Sequence, residues 1–321
     1  MNSTNSIAES QFFAPRRLAH ANMFVSDYVK AYDFYRHVLG FSEAYRQPDN
    51  LASFLSNGNT YHDLALTDIR SKYAREGQRP GLNHLAFEVK SEAALVGSYN
   101  KAVAAGFDFF WTANHDVAYS IYLRDPDGFE VEFYADVVED WEEARRGIII
   151  KKKPEWIPGV TNVPDQRELF QPKPQLKRLE DALVQSKRVT HVALATRDFE
   201  KMYDFYTTLA GLNLFAGSRE AGCVLLAGSA STGDIALIEQ TGSEPSLHHV
   251  GVEVWSESDL DAAISEADRL GAHVVKVVDH PARKAVSLAD PDGIVMQLYV
   301  NRDWRPEVIA TVRSADLPYL L

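Results

Sequence analysis

Three side chains in this sequence have the types and placing of a metal site. They are His20, His84 and Glu132. Each sits in a short β-like run, and a strand points successive side chains to opposite faces. In residues 82–89 the apolar Leu85, Phe87 and Val89 share one face, so His84 takes the other. In residues 129–134 Phe129, Val131 and Phe133 share the apolar face, which leaves Glu130, Glu132 and Tyr134 opposite. In residues 19–25 Ala19, Ala21, Met23 and Val25 go one way, and His20, Asn22 and Phe24 the other. The two imidazoles and the carboxylate are thus expected on the concave face of one curved sheet. Two neutral imidazoles and one carboxylate on one face of an octahedral ion leave three positions open. That suits a non-haem Fe(II) that holds an organic chelate and O₂ together. Rigid strands provide the fixed geometry such a face needs.

The elements that position these residues are repeated. Tyr-Asp-Phe-Tyr at 32–35 recurs at 203–206, an offset of 171. Asp-Pro-Asp-Gly at 125–128 recurs at 290–293, an offset of 165, and the run beginning at His84 recurs from His249 with the same offset. The first half therefore holds a six-residue insertion between residues 62 and 84. Each half is doubled again, because a strand with a central histidine opens each quarter: His20, His84, His191 and His249. A helical pattern follows each. Ala31, Phe34, Tyr35, Val38 and Leu39 lie at i, i+3, i+4 spacing, with Ser26 or Asp27 as the N-cap and Gly40 as the C-terminal stop. Met202, Phe205, Tyr206 and Leu209, then Gly211, repeat this, and Gly106 and Gly271 end the other two helices. The expected fold is α+β: four βαβββ modules paired into two domains with cup-shaped mixed sheets, at 16–137 and 188–302. Residues 138–187, with five prolines and many charges, read as a linker that wraps a surface, with a short helix from Trp141 to Arg146. Residues 303–321 are a tail.

Composition narrows the classes. The chain has 321 residues, 33 basic against 45 acidic, for a net charge of −12. That argues against nucleic-acid or anionic-membrane surfaces. Its one cysteine, Cys223, excludes an intrachain disulfide and fits a cytoplasmic home. The start is polar with no secretory h-region, and no apolar run approaches a membrane span. Cys223 lies in an apolar run and reads as buried rather than nucleophilic.

Residues 115–132 read His115, then Ile121-Tyr122, then Asp125-Pro126-Asp127-Gly128, then Glu132. This resembles the signature of type I extradiol ring-cleaving dioxygenases of the vicinal oxygen chelate superfamily, with Ala113 as a departure where that pattern prefers Gly or Asn. Residues 61–66, Tyr-His-Asp-Leu-Ala-Leu, resemble the segment that carries the family's acid–base histidine, and His20-Ala21-Asn22 resembles its first ligand followed by an active-site Asn. The resemblance implies Fe(II), or Mn(II) in its place, on His20, His84 and Glu132, with O₂ as co-substrate. It implies His62 as the acid–base residue, His115 and Tyr122 as hydrogen-bonding partners of the substrate, and Asn22 as an orienting group. The substrate is then a catechol-like diol, opened beside its two hydroxyls, and the protein a homo-oligomer. A glyoxalase-like metal-dependent isomerase or lyase is the alternative, and would want a fourth protein ligand. So is a metal-free binding or sequestering module, which would not need the triad.

The offsets set the halves apart. His20, His84 and His115 become His191, His249 and His280, but Glu132 becomes Gln297, His62 becomes Gly233, Asn22 becomes Ala193 and Tyr122 becomes Ser287. The active site is thus expected in the N-terminal domain, with the C-terminal domain an inactive copy. Phe107, Phe109, Phe110 and Trp111 are expected in the core, His248 as a packing residue, and His37 and His273 at the surface.

Overall fold

The computed structural model describes residues 11–145, 147–148, 154–270, 272–312 and 315–321. Gly271 and Lys151 to Lys153 lie outside the described residues.

The first half runs β1 (Arg17–Val25), α1 (Tyr28–Asp33), β2 (Glu43–Arg46), β3 (Ala52–Leu55), β4 (Leu64–Asp68), β5 (Gly81–Glu88), α2 (Glu92–Ala104), β6 (Trp111–Asn114), β7 (Ala118–Arg124) and β8 (Glu130–Asp136). A short helix α3 (Trp141–Ala144) and strand β9 (Gly147–Ile148) follow. The second half runs β10 (Ser186–Thr196), α4 (Phe199–Asp204), β11 (Asn213–Ser218), β12 (Cys223–Ala227), β13 (Ile235–Glu239), β14 (Ser246–Val254), α5 (Glu257–Glu266), β15 (His273–Asp279), β16 (Arg283–Ala289) and β17 (Val295–Asn301). Two further one-turn helices, α6 (Pro306–Ile309) and α7 (Leu317–Leu320), make up the tail.

The strands form two mixed sheets, ordered β6-β7-β8-β5-β1-β4-β3-β2-β9 and β11-β12-β13-β10-β14-β17-β16-β15. Each has a central antiparallel pair, β1 with β5 and β10 with β14, flanked by parallel neighbours. Helix α1 begins where the Asp27 carboxylate accepts the N–H groups of Val29 and Lys30. It runs on as a π-turn through Phe34–Val38 and stops at Gly40, whose φ is +76°. A Cβ on Gly40 would lie 2.3 Å from the Val184 carbonyl oxygen, so only glycine fits there. Helix α4 and its π-turn Phe205–Leu209 repeat the same form.

The apolar strand faces and the helices share one core that includes Met23, Tyr35, Phe87 and Phe133 from the first half and Met202, Tyr206 and Leu298 from the second. Burying a side chain such as Phe87 or Phe133 stabilises the fold by about 1.5–3 kcal/mol. The repeated motifs meet across this core. Tyr35 donates to Asp290 at 3.1 Å, and Tyr206 donates to Asp125 at 2.9 Å.

The β1–β5 register shifts twice, at Ala19 on β1 and at Asn83 on β5, and the first shift breaks the expected alternation. Leu18 pairs with Phe87 and His20 with Ala86, so Ala19 is an extra residue on β1. Ala19 therefore packs with Tyr45, Tyr61 and Ala86 on the concave side, away from Ala21 and Met23. This β-bulge recurs at Thr190, between Val189 and His191. The six-residue excess falls in the β4–β5 connection, residues 69–80, where the β13–β14 connection is residues 240–245. Among the described residues no helix is long and apolar enough to cross a membrane.

Candidate metal centre and its pocket

Neighbouring strands bring the proposed ligands together. His20 on β1 pairs with Ala86 on β5, Ala86 with Glu132 on β8, Glu132 with Tyr122 on β7, and Tyr122 with Trp111 on β6. His84 lies two residues before Ala86 and pairs with Asn22. The small Ala86 leaves room above it for the larger side chains at either hand.

His20 Nε2 is 3.1 Å and His84 Nε2 3.0 Å from Glu132 Oε2. These three residues are the metal-type cluster among the described residues. His84 donates from Nδ1 to the side-chain oxygen of Asn83 at 3.0 Å, which leaves the Nε2 lone pair for a metal. The Asn22 amide nitrogen is 3.0 Å from that Nε2. Burial and His84 hold His20 below its ordinary pKa against the pull of Glu132, so it is a neutral imidazole. Burial works to raise Glu132, but its contacts with His20 and then His84 outweigh it and hold the carboxyl well below its usual range. Glu132 Oε1, His20 Nδ1, Asn22 Oδ1 and His62 Nε2 are buried polar atoms without a hydrogen-bond partner. Each such atom costs about 1–3 kcal/mol. A divalent cation and its oxygen ligands fit this donor set.

His62 precedes β4 and lies against the triad. Its ring is 3.9 Å from that of His20, and its Nδ1 is 3.1 Å from the Tyr45 hydroxyl. Burial, reinforced by His20, pushes its pKa well down. On the other side His115 Nε2 is 2.9 Å from the Tyr122 hydroxyl. Burial and then Glu132 push the Tyr122 phenol well up, so it stays protonated. All seven residues named from sequence line one cavity of about 190 Å³.

The aromatic cluster divides differently from the expectation that all four residues are core. Phe107 and Phe109 pack on the core, whereas Phe110 and Trp111 are more than a third exposed. Trp111 stacks on Tyr122 with centroids 4.6 Å apart and lines the cavity, because it stands in the same strand row as the ligands. Tyr45, Phe54, Tyr73 and Arg145 also line it and were not read from the sequence. Only the six-residue insertion pointed toward one of them, Tyr73.

The second cup differs. His191 Nε2 is 3.3 Å from His249 Nε2, and Gln297 stands in the position of Glu132. Arg283, buried, occupies the position of Ala118; burial and then the Arg283 charge lower His191 to about 3, and burial, His191 and His248 push His249 well down, with Arg283 adding to this. The tail covers this cup. Tyr319 stacks on His249, Gln297 donates to the Tyr319 carbonyl at 3.1 Å, and Arg283 donates to the Leu321 carbonyl oxygen. His248 packs against Tyr319, and His37 and His273 are exposed. Cys223 is buried, its thiol pushed up to about 12 by burial.

The profile of the Glyoxalase/Bleomycin resistance protein/Dioxygenase superfamily matches residues 17–133 and 188–298. The chain belongs to this superfamily. The chain is similar to 2,2',3-trihydroxybiphenyl dioxygenase of Sphingomonas paucimobilis, 31% identical over 133 residues, which are 39% of this chain and 44% of that protein. Metapyrocatechase 2 of Cupriavidus necator is 29% identical over 134 residues, 40% of this chain and 39% of that one. The chain thus spans less than half the length of these curated relatives. In fold it is similar to the 2,3-dioxygenase LapB from Pseudomonas sp. KL28, with a TM-score of 0.64, 17% identity, and 90% and 93% of the two chains covered.

Proposed function

We propose that this superfamily member is an extradiol dioxygenase, which opens a catechol-type ring beside its two hydroxyls with O₂. The observation that carries the reading is the row His20–Glu132–Tyr122 with His84 beside it and the buried, neutral His62 against His20. The first domain is the catalytic one, and the second is a copy in which Arg283 and the tail take up the corresponding space.

His20 Nε2, His84 Nε2 and Glu132 would hold Fe(II), with Mn(II) as the ion of most similar ligand preference. The ion supplies a lowered pKa for the bound diol and an electron path between diol and O₂. The other residues do the rest. His62 Nε2 accepts a proton from the diol and later returns it to oxygen, while the Tyr45 hydroxyl keeps the imidazole oriented through Nδ1. Tyr122, protonated and paired with His115, donates a hydrogen bond to the substrate oxygen. Asn22 steadies His84. Phe54 and Trp111 give the ring flat apolar surfaces and keep water from them.

The test is anaerobic loading with Fe(II), followed by a panel of catechols in an oxygen electrode. One O₂ consumed per diol, with a yellow ring-opened product, is expected. Metal uptake without oxygen consumption would favour an isomerase or lyase, and absence of metal uptake a binding module.

A further inference from the structure

Among the described residues lining the cavity, Glu132 is the carboxylate and Arg145 the permanently charged cation. Arg145 lies between α3 and β9, the last strand of the first sheet, and its side chain is only 7% exposed. The guanidinium lies over the Tyr45 ring, 5.3 Å from its centroid, and donates through Nη2 to the His115 carbonyl. It thus touches two walls of the cavity, β2 and the β6–β7 turn. Its other charged neighbour is Asp116, whose carboxylate is one-third exposed and 3.5 Å from Nη2. Nε is buried and has no partner.

A buried guanidinium whose Nε–H is unpartnered, and whose counter-charge on Asp116 is met through one nitrogen at 3.5 Å, is costly to keep. Within the cavity itself the one carboxylate of the described lining is Glu132, a proposed metal ligand. A divalent ion on Glu132 carries one net positive charge, and a diol monoanion cancels it. Among the described lining residues Arg145 then has no anionic partner left inside the cavity, and its ion-pair partner Asp116 lies outside that lining. The planar N–H fork of arginine matches a carboxylate, which it takes in two parallel hydrogen bonds.

We propose that Arg145 binds a carboxylate carried on the catechol ring, so that the chain selects acidic catechols over neutral ones of the same size. This rests on the ring-cleaving reading above and names its substrate class. The second cup has no arginine at the matching position: at the offset of 165 helix α6 (Pro306–Ile309) answers α3, and Ala310 stands where Arg145 does.

The experiment compares 2,3- and 3,4-dihydroxyphenylacetate with their amides, which keep the size and the diol and lose the charge. Two quantities are read for each: kcat/KM in the Fe(II)-loaded enzyme, and anaerobic affinity from quenching of tryptophan fluorescence. The parent is expected to favour at least one acid over its amide. That ratio is expected to fall about 10- to 100-fold in Arg145→Met, the scale of a charge-assisted hydrogen bond, and to be partly restored in Arg145→Lys. A parent without preference for either acid would overturn the proposal. So would an Arg145→Met variant that weakens acid and amide equally, because Arg145 would then be only a strut for His115. If the loaded parent cleaves none of these four compounds and no catechol of the panel, the ring-cleaving reading fails, and the anaerobic affinity ratio still decides the role of Arg145.

Discussion

His20 and Glu132 stand one strand apart, with the Ala86 methyl between them, and meet at 3.1 Å above it. The second sheet keeps this spacing with Gly251 between His191 and Gln297, where a Cβ would fall 2.1 Å from the His191 ring. The gap is therefore a built part of the site. Ala86→Leu should force the two ligands apart and weaken Fe(II) binding about 10- to 100-fold, as losing a ligand's support does. Competition with a fluorescent chelator reads this, and unchanged affinity would show that the ligands do not need the gap.

His62 should matter to turnover far more than to binding. His62→Asn should lose roughly 10²–10⁴-fold in kcat, the usual weight of general acid–base catalysis. Iron content and anaerobic catechol affinity should stay near the parent's. Tyr45→Phe should lose part of the same rate, because it removes the partner of His62 Nδ1. Rapid-mixing kinetics after O₂ addition would check both, and unchanged turnover in His62→Asn would make the ring a packing group.

The crossed Tyr206–Asp125 bond predicts a pH dependence of stability. Burial pushes the Asp125 carboxyl up to about 7, against the hydrogen bonds from Tyr206 and Phe129 that lower it. An unfolded chain releases this proton near the ordinary value of 3.8. Between the two pH values the folded chain holds a proton that the unfolded chain gives up. The contribution is therefore full below the unfolded value and is lost as pH rises through about 7. Asp125→Asn keeps the neutral acceptor without the titration. Urea unfolding should show the variant gaining on the order of 2 kcal/mol over the parent between pH 5 and pH 8. A constant difference across that range would mean that Asp125 is ionised in the fold.

Replacing His191 and His249 together with Ala should leave the iron content of the protein near one per chain. Stability should fall by about 1–3 kcal/mol, since both rings are buried. Metal analysis and thermal unfolding would show this, and loss of iron from a folded variant would place a ligand in the second cup.

Much of this was legible in the sequence, for a physical reason. Strand parity is a period of two, so the apolar set of residues 85–89 and 129–133 assigns His84 and Glu132 to the opposite face without any structure. The paired motifs revealed the repeat because each ties to the other half, Tyr35 to Asp290 and Tyr206 to Asp125. Parity failed at Ala19 because a bulge inserts one residue, and no residue type there signals it. Trp111 looked like core because apolar type does not reveal which face an edge strand turns outward. Arg145 and the tail over the second cup were illegible because both arrive from segments without periodicity.

The most direct test is the iron content of Glu132→Gln beside that of the parent after anaerobic Fe(II) loading. Glutamine at this position reproduces in the first cup the residue that stands at Gln297 in the second. The account predicts about one iron per parent chain, almost none in the variant, an unchanged near-ultraviolet circular dichroism spectrum, and loss of oxygen uptake with catechols. A Glu132→Gln protein that holds a full complement of iron and consumes oxygen with catechol at the parent's rate would contradict it.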